Sequence, residues 1–574
     1  MFVQKPVPGQ NMKFDFFKIS IFIFSLSLCL KSEAQNTVLS SHEILYNGIK
    51  LPEEWPPKIA GSILRMPIEI PYLKSVPELI PINIGRQLFV DDFLIEETSL
   101  NRTFHLAIKF KGNPVLKPET PLELNSGICP VAAPFSDGVW YDSQENLFKM
   151  WYHAGWFDGT GYVISEDGIH WDRPELDVES STNRVLPVRK GYTRDGSTIW
   201  LDYNTVKPAE RFKMFIYYRY PGGEHGEQMT SPDGVHWNLL GLTGNLGDNS
   251  GFFYNPFRGK WVFSIRDSRN PGYGRARYYH ESSDFHIAGQ WNNREYTFWQ
   301  GADSLDKPDK LIQDFFIDSR TQLYKVDAIA YESIMLGLFA IHRGPDNRAC
   351  AYGGFPKLTD LSLGYSRDGF YFSRPDRRAF IPSTRVKGDW DRGYIHSAGG
   401  CCLVVGDSLY FYYGAWSGYS PKNISDMYAG GSTGLAKLRR DGFASMDDDG
   451  HSGYLVTRKV TFKGKNLFVN IEDPAGEFRA EILDENYKII NGFSKEDCLP
   501  ISVNKTLQEI NWKNKKDLTS LINKKVRFKF YLKNGSFYSF WISPDKSGAS
   551  YGYVGAGGPG LKGNIDNVGI NGYN

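Results

Sequence analysis

Short apolar and aromatic runs, broken by polar turns, fill most of this chain. Five segments each hold two such runs around a turn: DGVWYDSQENLFKMWYH (137–153), STIWLDYNTVKPAERFKMFIYYR (197–219), SGFFYNPFRGKWVFSIRD (250–267), DAIAYESIMLGLFAIHR (327–343) and AGGCCLVVGDSLYFYYGAW (398–416). Runs of this length, rich in aromatic and β-branched residues, read as pairs of antiparallel strands. A second pattern follows each pair: ISEDGIHWDRP, TSPDGVHWNLL, HESSDFHIAG, YSRDGFYFSRP and LRRDGFASMD, with turn aspartates Asp167, Asp233, Asp284, Asp368 and Asp441. Asp-Gly supplies the positive φ of a tight hairpin, so each unit gains two more strands.

Five repeats of four antiparallel strands predict an all-β chain: a five-bladed β-propeller over 86–445, followed by a C-terminal β-sandwich. The run QLFVDDFLIEE (87–97) is expected to add the strand that closes the ring. Residues 446–545 lose the hairpin punctuation but keep alternating strands such as LFVNIED and VRFKFYL, the style of a sandwich. Residues 35–85 form an N-terminal extension. The tail, 546–574, is Gly-rich, the composition of a disordered segment or of one that packs back onto the propeller.

The composition agrees with a β-rich reading: 15% of residues are aromatic and 58 are Gly. With 66 basic against 65 acidic side chains, the chain has no bulk charge with which to hold nucleic acid. Lys13 and Lys18 precede an apolar run, Ile19 to Leu30, that ends in Ser32-Glu33-Ala34. That order predicts a signal peptide over 1–34, with the true start at Met12 and cleavage near Ala34. The run is too short to span a bilayer, so a soluble secreted or periplasmic protein is expected. Beyond Cys29, Cys129, Cys350, Cys401, Cys402 and Cys498 have no metal-binding spacing and read as buried thiols, with room for one disulfide.

In a propeller, the first strand of every blade starts beside the central axis at one mouth, so residues far apart in sequence converge there. Those positions hold Asp137, Asp195, Asp248 and Asp327, with His396-Ser397 in the fifth unit. Converging carboxylates suit glycosidic bond cleavage, which needs one acid and one base or nucleophile. Singly, each Asp would serve equally well as a turn cap. Second-strand ends return to the same mouth and bring His153, Arg219, Arg266, His342 and Arg343. These would bind an acidic sugar such as a uronic acid, or pair with the axial aspartates. Trp156, Tyr220 and Trp416 follow similar strand ends and offer faces for sugar stacking. The rim insert PGGEHGEQ adds Glu224 and Glu227. Glu332, in the turn at the opposite mouth, reads as structural.

The GNPVLKP stretch (112–118), the DG-x-x-W hairpins and the block RRDGFASMD ahead of a sandwich resemble glycoside hydrolase family 32 and its five-bladed relatives, families 43 and 68. The family strings Asn-Asp-Pro, Arg-Asp-Pro and Glu-Cys are absent; Arg266-Asp267-Ser268 approximates the second at a different place in its unit. The resemblance implies an exo-acting glycoside hydrolase with a carbohydrate substrate and no cofactor. It implies Asp137 as base or nucleophile and Asp195 and Asp248 as modulators; the families use Glu as general acid, and Asp327 is the candidate for that role here. Two other readings stay open. One is a non-catalytic carbohydrate-binding propeller whose axial acids hold a structural Ca²⁺. The other is a sialidase-like hydrolase of acidic sugars, because S-x-D-G-x-x-W resembles the sialidase aspartate box.

Overall fold

The computed structural model describes residues 42–574, apart from 60–63, 221–222, 270–271, 293–294, 311–319, 354–355, 421, 423–425, 449 and 574. The signal segment, 1–34, lies outside the described residues. The fold is all-β, with curled sheets and only one-turn or two-turn helices. Five antiparallel units follow one another. The first runs through Val131–Asp142, Leu147–Ala154, Gly159–Ser165 and Arg184–Leu186. The second runs through Thr193–Leu201, Phe212–Tyr220, Gly223–Ser231 and Asn238–Leu242. The third is Gly251–Asn255, Lys260–Asp267, Ala276–Ser282 and Thr297–Gln300. The fourth is Gln322–Glu332, Ile334–Gly344 and Leu358–Ser366, edged by bridges at Leu361–Ile381 and Tyr365–Ser373. The fifth is Gly393–Ser397 with Leu403–Val405, then Ser408–Trp416 and Gly431–Arg439.

Three of the repeated turns share one hydrogen-bond knot. Asp167, Asp233 and Asp368 each accept from the two backbone N–H groups two and three residues on, while the serine two residues earlier bonds both the Asp and the Gly. Gly168, Gly234 and Gly369 take φ between 73° and 85°, which favours glycine there. The other two turns differ. Asp284 caps the helix Phe285–Ala288 instead of forming a hairpin, because Phe follows it where φ > 0 would need Gly. Asp441 takes the positive φ itself, at 61°.

The strand beside the fifth unit is not the one expected. Ile108–Lys109 pairs with Gly431–Arg439, which also pairs in parallel with Val131–Asp142. Residues 87–97 go elsewhere: Gln87–Leu88 pairs with Ser536–Ser543, and Ile95–Thr98 with Gly453–Thr457. Ile80–Pro81 and Asn101–Phe104 join the same two C-terminal sheets. Burial explains this. Phe89, Phe93, Leu94 and Ile95 pack with Phe528, Phe530, Phe537 and Phe540 in a core separate from that of the five units. The tail folds back: Tyr553–Val554 pairs with Gln322–Glu332. Glu332 is fully buried there with Arg86, Arg440 and Ser550. The five described cysteines are buried, and Cys350, Cys401, Cys402 and Cys498 are free thiols. Among the described residues, no helix is long and apolar enough to cross a membrane.

Candidate active site

A cavity of about 450 Å³ opens where the first, second, third, fourth and fifth units meet. The first strands of units one, two, four and five each carry a register shift, at Ala133/Gly138, Arg194/Ser197, Leu323/Lys325 and Gly393/His396. Bulges re-aim side chains at such places.

Asp195 and Asp248 line the cavity. Asp195 accepts from Arg219 Nε and Nη2 at 2.9 and 2.6 Å, and from the Gly196 N–H at 2.8 Å. The same Arg219 Nη2 donates to Asp248 Oδ2 at 3.0 Å. Arg275 Nη1 donates to the other Asp248 oxygen at 2.7 Å. The two carboxylates therefore share one guanidinium nitrogen, and their nearest oxygens lie no further apart than the 2.6 and 3.0 Å bonds laid end to end. Their protonation is pushed in opposite directions. Burial and then the charge of Asp248 raise the Asp195 carboxyl above its ordinary range, against the pull of Arg219. Burial also presses on Asp248, but Arg275, Arg266 and Arg219 overcome it and lower its pKa.

Asp137 and Asp327 sit beneath this cavity and are not part of its lining. Ser197 pairs with Ser136 and Thr198 with Asp137, so Asp137 is three residues deeper along its strand than Asp195. At about 3.3 Å per residue, that is a separate level below the cavity. Asp137 is fully buried and bonded to Arg194, Ser197 and the Phe135 N–H. Asp327 accepts from Ser136 and Ser397 at 2.9 and 2.6 Å. Lys325 completes this layer, donating to Ser250 O at 2.8 Å and Thr198 Oγ1 at 3.3 Å. Burial leads in lowering its pKa to about 8.

Of the expected binding residues, Trp156, Arg219 and Arg266 line the cavity. His153 braces it from behind, with Nε2 at 3.0 Å from the Asp195 carbonyl. His342 stacks on Tyr324, and His396 packs on Phe135 and Tyr394. Burial first, then the Lys357 charge, holds both of these imidazoles well below the usual range and so neutral. Trp416 packs behind Phe135 and Tyr394. Arg343 faces Asp360 at 2.9 Å, outside the lining. Glu227 is held by Arg189 at 2.8 Å; the Glu224 side chain lies outside the description. No group of three or more His, Cys, Asp or Glu among the described residues is arranged to hold a metal ion.

The lining also holds residues that sequence reasoning missed: Arg275, Lys357, Tyr217, Tyr324, Tyr394 and Tyr428 among them. Arg275 and Lys357 immediately precede the third strands Ala276–Ser282 and Leu358–Ser366. Third strands start at the mouth where second strands end, so that position was readable from the repeat. Trp156 stacks on Tyr428, with centroids 4.7 Å apart and planes 11° apart, and both line the cavity.

No protein-family profile matches the chain, and no curated protein does. Among solved structures it is similar to a glycosyl hydrolase from Bacteroides ovatus at 15% identity, covering 59% of this chain and 94% of that one with a TM-score of 0.35. It is also similar to a β-1,2-mannobiose phosphorylase from Listeria innocua at 10% identity, covering 59% and 98% with a TM-score of 0.41. A third is a fructofuranosidase from Schwanniomyces occidentalis at 12% identity, covering 76% and 98% with a TM-score of 0.35.

Proposed function

We propose that the five units are the blades of a propeller, that the two C-terminal sheets form a sandwich, and that the cavity is the active site of a glycoside hydrolase. The observation that carries this reading is the pair Asp195 and Asp248: two carboxylates in one cavity, sharing one arginine, with opposite protonation bias. Environments that drive two acids apart assign the acid and the base. Asp195, raised, keeps a proton for the leaving oxygen. Asp248, lowered, stays ionised.

The oxygens are too close for a water to be activated between them and the sugar, which inverting enzymes need at about 6.5–9.5 Å; retaining enzymes use about 5–5.5 Å. In this reading Asp248 attacks the anomeric carbon while the Asp195 proton passes to the leaving oxygen. Asp195 then takes a proton from the water that releases the sugar. Trp156 and Tyr428 offer aromatic faces to a sugar ring. The layer of Asp137, Arg194, Asp327 and Lys325 closes the floor, so a chain end enters rather than a chain middle, which supports exo-action. The leader-like segment 13–34 supports export.

The test is a screen of purified protein against plant and host glycans with product chromatography, followed by Asp195→Asn on the hydrolysed glycan. The reading expects turnover to fall by about 10²–10⁴-fold with the fold intact, and a product of retained anomeric configuration by NMR. Arg219, which ties both carboxylates, favours the second reading, a non-catalytic sugar-binding propeller. That reading expects no turnover of any glycan, with sugar binding unaffected by Asp195→Asn.

A further inference from the structure

Four cations line the cavity, Arg219, Arg266, Arg275 and Lys357, against two carboxylates among the described residues. Arg219 and Arg275 are committed, since each hydrogen-bonds Asp195 or Asp248. Arg266 is held more loosely, and Lys357 has no counter-charge among the described residues. The nearest carboxylate contact of Arg266 is Asp248 Oδ1, 3.6 Å from Nε, beyond hydrogen-bonding distance. That Nε is buried and has no hydrogen-bond partner among the described residues. Lys357 is 3% exposed and forms no ion pair among the described residues. Its ammonium donates to the Tyr428 hydroxyl at 3.3 Å. It lies over the rings of Tyr394, Tyr324 and Tyr428, with centroids at 4.4, 5.0 and 5.0 Å. Arg275 lies over the same Tyr324 ring at 4.5 Å, so Lys357 and Arg275 share one aromatic ring.

Burying a cation without a counter-charge is costly, and ring faces return only part of that cost. A cavity that keeps Lys357 unpaired, and Arg266 held only by the 3.6 Å contact to Asp248, is best satisfied by a ligand that brings negative charge. A neutral sugar would leave Lys357 without a counter-charge and Arg266 with only its long contact to Asp248; an acidic one would give both charge-assisted hydrogen bonds.

We infer that Arg266 and Lys357 form an anion-reading subsite, and that the sugar accepted by this cavity carries a carboxylate or a sulfate. The substrate-class part rests on the hydrolase reading above; the binding part does not.

The test therefore measures binding and turnover separately. Saturation-transfer NMR compares glucuronate, galacturonate and N-acetylglucosamine 6-sulfate with glucose, galactose and N-acetylglucosamine on the full chain. At least tenfold tighter binding of a charged member is expected, and the uronate and sulfate arms separate the two anions. Lys357→Met and Arg266→Gln should each erase most of that preference. Arg266, with its side chain 29% exposed, keeps the test valid if the Lys357 variant fails to fold. Turnover of acidic glycans with no binding of charged monosaccharides would still uphold the inference, provided either variant raises KM at least tenfold. Binding preference without turnover of any glycan would uphold the subsite and overturn the hydrolase. Turnover of neutral glycans alone, or equal binding of charged and neutral sugars with no turnover of acidic glycans, would overturn the inference.

Discussion

Replacing Arg219 by Met removes the one cation shared by Asp195 and Asp248 and leaves the aliphatic stem in place. The two nearest oxygens would then face one another across no more than the combined 2.6 and 3.0 Å bonds. Two unit charges at roughly 5 Å, in an effective dielectric of about 20, repel by about 3 kcal/mol, or about two pKa units. Arg219 is 41% exposed at its side chain, so water will fill its place and screen the pair. We take half of the repulsion as surviving, a rise of about one unit in the pKa of the acid that already titrates high. The sign follows directly. A raised carboxyl keeps its proton to higher pH, so the alkaline limb of kcat/KM moves up by about one unit. The maximum should fall by about 10²-fold as positioning is lost. The assay is a pH–rate profile on the glycan found in the screen, for both proteins. An alkaline limb that stays in place, or moves down, would refute Asp195 as the titrating acid.

Three further outcomes follow from the structure. Lys357 has its pKa lowered to about 7, chiefly by burial and then by Arg275, with Tyr324, Tyr394 and Tyr428 facing it. Affinity for a uronate should therefore weaken as pH rises through 7, measured by NMR titration; an affinity flat from pH 6 to 9 would contradict the assignment. Asp137→Asn leaves Arg194 buried without its carboxylate, and should destabilise the chain by about 3–5 kcal/mol in urea unfolding; a loss of activity at unchanged stability would instead give Asp137 a chemical role. Arg86→Met strands Asp441 in the interior and leaves Glu332 with Arg440 as its only ion-pair partner among the described residues; the Arg86, Asp441 and Glu332 side chains are fully buried, and a similar loss is expected. A change below 1 kcal/mol would mean that the cluster is not coupled as drawn.

The repeat made most of the β architecture legible because a strand–turn–strand pattern with Asp-Gly turns is a local signal. Three turns use the same Ser, Asp and Gly contacts, so their spelling alone specifies them. The strand 87–97 was misplaced for the opposite reason. Its apolar residues fit any sheet, and only the phenylalanines at 528–540, far along the chain, decide where it packs. The site was half legible. Asp195, Asp248, Arg219, Arg266 and Trp156 follow from where strands begin and end. Depth relative to the cavity does not, since the bulges at Ala133/Gly138 and Leu323/Lys325 shift the strand register without marking the sequence. Lys357 had no motif around it, although the repeat put it at the right mouth.

The pairing of Ile108–Lys109 with Gly431–Arg439 sets a schedule for synthesis. A ribosome adding roughly 5–20 residues per second needs tens of seconds to travel from one strand to its partner. Through that interval the early segment, and the apolar residues 87–97 beside it, have nothing to cover them. Such a nascent chain is a natural client for holding chaperones, and clipping either end of the gene would be expected to yield aggregates rather than a smaller working protein.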